Sequence, residues 1–151
     1  MALISDKDQE TIRKHFAERL DSDVEIVMFT EHPSPIIIPG KQPCETCEDT
    51  ESLLREVAAL SDKLELTVQD FDQSKDQAVK LGIDRVPAFV LNGAARGKVR
   101  FFGIPSGYEF SALIADLVDV SRGTTDLSDE TREYLATLTE DVNIKVFTTP
   151  T

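Results

Sequence analysis

A chain of 151 residues, 40% of them hydrophobic, is long enough for one domain with its own core and too apolar for a disordered segment. Its formal net charge of −12 repels phosphate backbones and anionic lipid alike, which argues against nucleic acid and membrane surfaces as partners. No apolar run approaches the roughly 18 residues of a membrane-spanning helix, and "MALISDKDQE" turns acidic too early for a signal peptide, so a cytoplasmic protein is expected.

The first element is "ISDKDQETIRKHFAERL", where Ser5 and Asp8 form a capping-box pattern and Ile12, Phe16 and Leu20 recur at helical spacing. "DVEIVMF", residues 23–29, is β-branched and aromatic and reads as a strand. A long connection with four prolines follows, "TEHPSPIIIPGKQP". From Cys44 to about Leu60, Cys47, Leu53, Leu54, Val57 and Ala58 make a helical stripe. "KLELTVQDF" alternates with period two, as a strand does, and "QSKDQAVKLG" is a short helix closed by Gly82. "VPAFVLNG" and "KVRFFG" read as a hairpin turning at Asn92-Gly93. "SGYEFSALIADLVDVSRG" opens with a second capping box, Ser106 and Glu109, and carries an apolar face of Phe110, Leu113, Ile114, Leu117 and Val118. "LSDETREYLATL" then reads as a helix and "DVNIKVF" as a strand. From residue 23 to 123 the order is strand, helix, strand, helix, strand, strand, helix. That order predicts an α/β fold with a central mixed sheet flanked by helices.

An internal repeat overlies this order. "ISDKDQETIRKHF" at Ile4 resembles "LSDETREYLATL" at Leu127, and "DVEIVMFT" at Asp23 resembles "DVNIKVFT" at Asp141. The offsets, 123 (127 − 4) and 118 (141 − 23), agree within a small length difference. The expectation is one complete unit over residues 1–123 and the opening helix and strand of a second, truncated unit over 124–151. A trailing strand without a place in a sheet is an exposed edge that invites self-association into a homo-oligomer.

The two cysteines, Cys44 and Cys47, stand in "CETC" between the first strand and its helix. Two are too few for a disulfide-stapled scaffold, and a reducing cytosol disfavours a permanent bridge. A helix N-terminus offers unpaired N–H groups and a positive dipole end, which stabilise a thiolate. Cys44 is expected at the first, exposed position of the helix and Cys47 one turn deeper, protonated. That asymmetry suits disulfide exchange: Cys44 attacks, and Cys47 resolves the mixed disulfide. Glu45, Glu48 and Asp49 crowd the same helix start and oppose a thiolate, with Lys41 the nearest cation, so a comparatively reducing couple is expected. Two other readings stand beside this one. Zinc needs about four ligands, and only His15 and His32 can join the cysteines with an Asp or Glu; or the pair is buried, reduced and inert. A second feature bears on the choice. Pro87, in "DRVPAFV", opens a β-branched strand where a proline cannot donate to the ladder. A cis Val86–Pro87 bond would give a tight entry and leave the Val86 backbone free for an extended partner segment; a trans proline at a strand edge is the alternative.

With these elements in this order the chain resembles a thioredoxin-fold unit, and more closely the protein disulfide oxidoreductase (glutaredoxin-like) family, whose members carry two such units in tandem. "LISD" at Leu3, "CETC" at Cys44, "DRVPA" at Asp84, "RFFGIPSGYEF" at Arg100 and "DVSR" at Asp119 carry the resemblance over nearly the whole chain. It implies that Cys44 and Cys47 are the redox pair, that Pro87 is cis and faces them, and that Val86 contacts the substrate backbone. It implies protein thiols and disulfides as partners, a thioredoxin-reductase-like electron donor, a role in cell redox homeostasis and no organic cofactor. Two departures stand out: the connection from Thr30 to Cys44 is long, and the second CxxC is missing. Pro39 and Pro43 are expected to shape the approach to Cys44, and Ile36 to Ile38, Phe102 and Ile104 to offer apolar surface to a partner. The reading from a different class is a non-catalytic thioredoxin-fold module that docks a partner through the Pro-rich loop.

Overall fold

Six of the seven residues of β1 (Val24–Thr30) are buried, which a strand sustains only when both faces of its sheet are covered. The computed structural model, which describes residues 3–32 and 42–147, has that arrangement. β1 pairs in parallel with β2 (Leu64–Asp70), Val24 opposite Leu64 and Thr30 opposite Asp70. On its other side it pairs antiparallel with β3 (Ala88–Asn92), Phe29 opposite Ala88. β3 pairs antiparallel with β4 (Val99–Phe102), and the sheet order is β2-β1-β3-β4. Parallel neighbours need a crossover element, and α2 (Cys47–Ala58) supplies it between β1 and β2.

Alternation along β1 sorts its side chains into two cores. Ile26 and Met28 join Phe16 of α1 (Asp6–Arg19), Leu54 and Val57 of α2, and Leu113 and Leu117 of α4 (Tyr108–Arg122). Val27 and Phe29 join Ala78 of α3 (Lys75–Leu81) and Ile83 in a smaller cluster. Three helices therefore cover one face and α3 the other. The stripe predicted for α1 is buried throughout, Ile12, Phe16 and Leu20 included. Ser5 caps that helix by accepting the Asp8 N–H at 3.2 Å, and Gly82 ends α3 with φ +73°, in the left-handed region glycine occupies without strain. α5 (Asp129–Ala136) forms where predicted, capped by Ser128, and buries no residue.

Three local readings need correction. The hairpin does not turn at Asn92-Gly93: a two-residue turn of that type needs positive φ at both positions, and Gly93 is not among the positive-φ glycines. Instead residues 93–98 leave the ladder to pack on the end of α4. A Cβ on Gly93 would sit 2.8 Å from Val120 Cγ1 and 2.9 Å from its carbonyl oxygen, and the Ala95 N–H donates to that carbonyl at 3.2 Å. The second capping box does not form either. α4 starts at Tyr108 with Gly107 as its N-cap, which leaves Ser106 one residue too early and Glu109 one residue short of the position such a box needs. Residues 141–147 form no strand. Alternating β-branched residues make a strand only beside a ladder partner, and among the described residues none flanks them.

Candidate active site

The topology gathers several elements at one end of the sheet. α2 runs back from β1 to β2, so its N-terminus stands at the C-terminal end of β1. The antiparallel registers bring the start of β3 and the end of β4 to the same end, with Ala88 between Phe29 and Phe102. Cys44, Cys47, Val86 and Pro87 are thereby assembled from two distant parts of the chain.

Cys44 and Cys47 are joined in a disulfide, with their Cα atoms 5.6 Å apart. The helix begins later than the sequence suggests: Cys47, not Cys44, is its first residue. Thr46 is the N-cap, and its carbonyl accepts both the Thr50 N–H at 2.9 Å and the Thr50 hydroxyl at 2.6 Å. Cys44 thus stands two residues before the cap. The order of exposure is nevertheless the expected one, since Cys44 is half-buried and Cys47 is 1% exposed. Glu45, Glu48 and Asp49 are all exposed around the pair. Lys41, Ile36 to Ile38 and Pro39 lie outside the described residues.

The Val86–Pro87 peptide bond is cis. Pro87 is buried, and its carbonyl accepts the Gly103 N–H at 2.8 Å, which ties the loop to the end of β4. Val86 is half-buried against the α3-side core. Next to it, Arg85 and Asp84 are exposed and paired. The Arg85 hydrogen bond holds the Asp84 carboxyl below its ordinary value, and the carboxylate in turn holds the guanidinium above its own. Pro43 and Phe102 are exposed, whereas Ile104 packs against the main core. His15 and His32 are both exposed, and among the described residues no three His, Cys, Asp or Glu side chains are grouped to hold a metal ion.

Two contributors escaped the sequence reading. Thr50, fully buried, follows Cys47 by three residues and so lies on the same helical stripe, a position its polarity disguised. Glu56, also on α2, accepts the Leu3 and Ile4 N–H groups at 2.8 and 2.9 Å, which fastens the N-terminal segment to this helix. A cavity of about 660 Å³ opens nearby between α1 and α4, lined by Ile4, Ile12, Leu53, Ile104 and Phe110 among others. Neither cysteine lines it.

Comparison with known proteins agrees with this geometry. A family model described as a thioredoxin domain matches residues 36–115, more than half of the chain. A solved protein disulfide oxidoreductase from Aeropyrum pernix is 29% identical, with a TM-score of 0.71 over 89% of this chain and 55% of that one. The alkylhydroperoxide reductase component AhpF from Enterococcus faecalis is 23% identical, with a TM-score of 0.73 over 89% of this chain and 61% of that one. The NTD_N/C domain of AhpF, solved separately, is 21% identical at a TM-score of 0.68, over 86% of this chain and 58% of that one. The last two likenesses speak for the fold alone. The chain spans between about half and three-fifths of the length of these proteins. No curated protein matches. No helix among the described residues is long and apolar enough to cross a membrane.

Proposed function

Because the chain belongs to the thioredoxin-domain family, we propose that it is a thiol–disulfide oxidoreductase whose Cys44–Cys47 pair exchanges disulfides with protein partners. The observation that carries this reading is the pair itself: bridged, at the mouth of α2, with Cys44 half-buried and Cys47 1% exposed. In the reducing direction the Cys44 thiolate attacks a partner disulfide, and one partner sulfur leaves as a thiolate and takes a proton. Cys47 then gives up its proton and attacks the Cys44 sulfur. The Cys44–Cys47 bond forms, the second partner thiolate departs, and two electrons have passed to the partner. The reverse sequence oxidises a dithiol. Val86 would offer its backbone to an extended partner segment, and Pro87 would hold that segment against Cys44. No organic cofactor enters the cycle.

Insulin reduction driven by dithiothreitol tests this. Turnover is expected to disappear in Cys44→Ser and to persist in Ile37→Ser; the opposite pattern would favour the binding module that docks through the Pro-rich loop. We place the protein in the cytoplasm, serving redox homeostasis, with a thioredoxin-reductase-like enzyme returning the pair to the dithiol.

We also propose that residues 124–151 open a second unit of the same kind. Ser128 caps α5 as Ser5 caps α1, each accepting an N–H three residues on at 3.2 Å. At the offset of 118 residues, Val142, Ile144 and Val146 correspond to Val24, Ile26 and Met28. The first three are 63%, 81% and 79% exposed; their counterparts are fully buried in β1. Such a surface also favours association between copies. Removing residues 124–151 is expected to leave the melting temperature of residues 1–123 within about 2 °C of the whole chain, since α5 buries nothing. A larger drop would mean that the segment completes the first unit instead.

A further inference from the structure

The three helices that cover the main core all run the same way. α1 and α4 end where β1 begins: the Ser121 hydroxyl of α4 accepts the Asp21 and Ser22 N–H groups that follow α1. α2 runs back from the end of β1. All three N-termini therefore stand at the disulfide end. Acids favour the start of a helix and bases its finish, since each offsets the partial charge there, and helices that run together add these preferences. Asp6, Asp8, Glu48, Asp49 and Glu109 occupy the three first turns, all exposed, with Lys7 the single base among them. Arg19, Arg55 and Arg122 stand in the last turns, at the opposite end. Glu45, exposed between the two cysteines, is a sixth acid at the disulfide end. The helix starts carry about half a positive charge each, too little to cancel six carboxylates set against one lysine. The cavity of about 660 Å³ opens at this same end, between the first two turns of α1 and of α4. Ile4, Ile12 and Leu53 of its wall are buried, and Ile104, Phe110 and Ile114 are half-buried. Asp8 is the one charged residue in the lining among the described residues. Tyr108, beside the lining residue Gly107, is 93% exposed.

We propose that this cavity is the docking groove for the protein partner of Cys44, and that it takes an apolar side chain from a surface made basic by lysine or arginine. The inference rests on the exchange proposed above. The groove adjoins the exchange site along two paths. Leu53 lies about 9 Å along α2 from Cys47, and Ile104 follows Gly103, whose N–H holds the Pro87 carbonyl. The apolar wall alone would accept a leucine-sized side chain from any source, so the charge around it decides the source. A basic partner surface is drawn to the acidic end before contact is made. Once it is there, lysine and arginine stems pack on the apolar rim while their heads reach the carboxylates. An acidic partner is repelled, and so is a second copy of this chain, which presents the same acidic end. Tyr108 adds an exposed ring of the kind enriched where partners meet.

Two measurements on the full chain test the groove. In the first, the oxidised, isotope-labelled protein is titrated with three short cysteine-free peptides, one of Lys and Leu, one of Lys and Ser, and one of Glu and Leu. The Lys/Leu peptide is expected to shift the amide signals of Ile12, Leu53 and Phe110, and the other two to leave them in place. No shift with Lys/Leu overturns the groove, and an equal shift with Glu/Leu overturns the basic partner. In the second, the dithiol protein reacts with glutathione mixed disulfides of the same peptides, each extended by a flexible spacer of graded length and a cysteine, and glutathione release is followed. At low salt Lys/Leu is expected to react roughly 10-fold faster than Glu/Leu, a ratio that falls toward one at high salt and shrinks when Asp8→Asn is combined with Glu109→Gln. Lys/Leu is expected to react roughly 3- to 10-fold faster than Lys/Ser at either salt. That advantage is lost in Ser111→Trp, which sets a ring in the groove, and returns in Ser111→Thr; Ser111 is exposed, so neither change disturbs the core. A charge ratio that survives high salt overturns the basic partner, and a Leu advantage that survives Ser111→Trp overturns the cavity as its seat. A Leu advantage that fades as protein concentration rises means that a second copy fills the groove, and overturns the proposal as well. Failure of the native protein to reduce bis(2-hydroxyethyl) disulfide overturns the oxidoreductase reading, while the titration still decides the groove.

Discussion

Reducing the Cys44–Cys47 bond should destabilise the fold by an amount that its place in the chain sets. The bridge joins residues three apart in sequence, so it closes a loop of only four residues. Loop-closure entropy for so short a ring is about 6 cal/mol/K, or about 2 kcal/mol at 25 °C, lost from the unfolded chain and regained by it on reduction. Thiolate stabilisation in the folded dithiol would offset this, and the site supplies little. Cys44 stands ahead of the helix among three exposed acids, and Cys47 is sealed where burial disfavours a charge. The full loss should therefore appear. With about 2 cal/mol/K of unfolding entropy per residue over about 120 folded residues, the reduced protein should melt roughly 6–8 °C below the oxidised one. Calorimetric scans at pH 7, with and without excess dithiothreitol, measure the difference. A reduced form that melts at or above the oxidised form would refute the reasoning. It would mean that the thiolate is strongly stabilised, as in a strong oxidant, and not in the comparatively reducing couple that "CETCED" predicts.

Further outcomes are expected of single substitutions. Cys47→Ser should accumulate a mixed disulfide between Cys44 and a partner peptide, visible by mass spectrometry and stable for many native turnovers; rapid release would mean that resolution does not need the buried sulfur. Ser121→Ala should cost about 2–3 kcal/mol, because the Ser121 hydroxyl accepts the Asp21 and Ser22 N–H groups, each at 2.9 Å, and both donors lose their partner. Urea unfolding measures this, and a loss under about 0.5 kcal/mol would show that water replaces the hydroxyl freely. Burial, and then the neighbouring Asp119, push the Asp116 carboxyl above its ordinary value. The folded state thus keeps that proton to a higher pH than the unfolded chain does, so the group's contribution falls as pH rises through its folded value and is unfavourable at pH 7. Asp116→Asn should raise the urea midpoint at pH 7 and lose the advantage below about pH 4; an equal gain at both pH values would point to packing and not to charge.

The strands and helices of the first unit were legible because each announced itself by two independent signals. Period and burial agreed for Ile12, Phe16 and Leu20, and a left-handed stop agreed with periodicity at Gly82. Other readings failed because a local signal depends on something distant in sequence. Asn92-Gly93 has the letters of a tight turn, but Gly93 is needed against Val120. "DVNIKVF" has the letters of a strand, but no described strand lies beside it. Ser121 reads as a polar interruption of the apolar face of α4. It is buried because α4 ends against the turn before β1, about a hundred residues away in sequence, whose N–H groups need an acceptor.

The shifted start of α2 changes the physical basis of the site more than its location. Had Cys44 opened the helix, the dipole would have acted on it directly, and its reactivity would have followed from ionisation. In the structure the residue at the helix mouth is Cys47, which is buried, while Cys44 stands half-buried two residues before the cap. On the exchange proposed above, burial would decide which sulfur meets a partner first, since Cys44 is half-buried and Cys47 is 1% exposed. Cys47 in turn needs only to reach the sulfur beside it. An order of attack imposed by burial does not depend on pH. On the proposed exchange, Glu45, Glu48 and Asp49 would therefore tune rate and direction without exchanging the roles of the two cysteines.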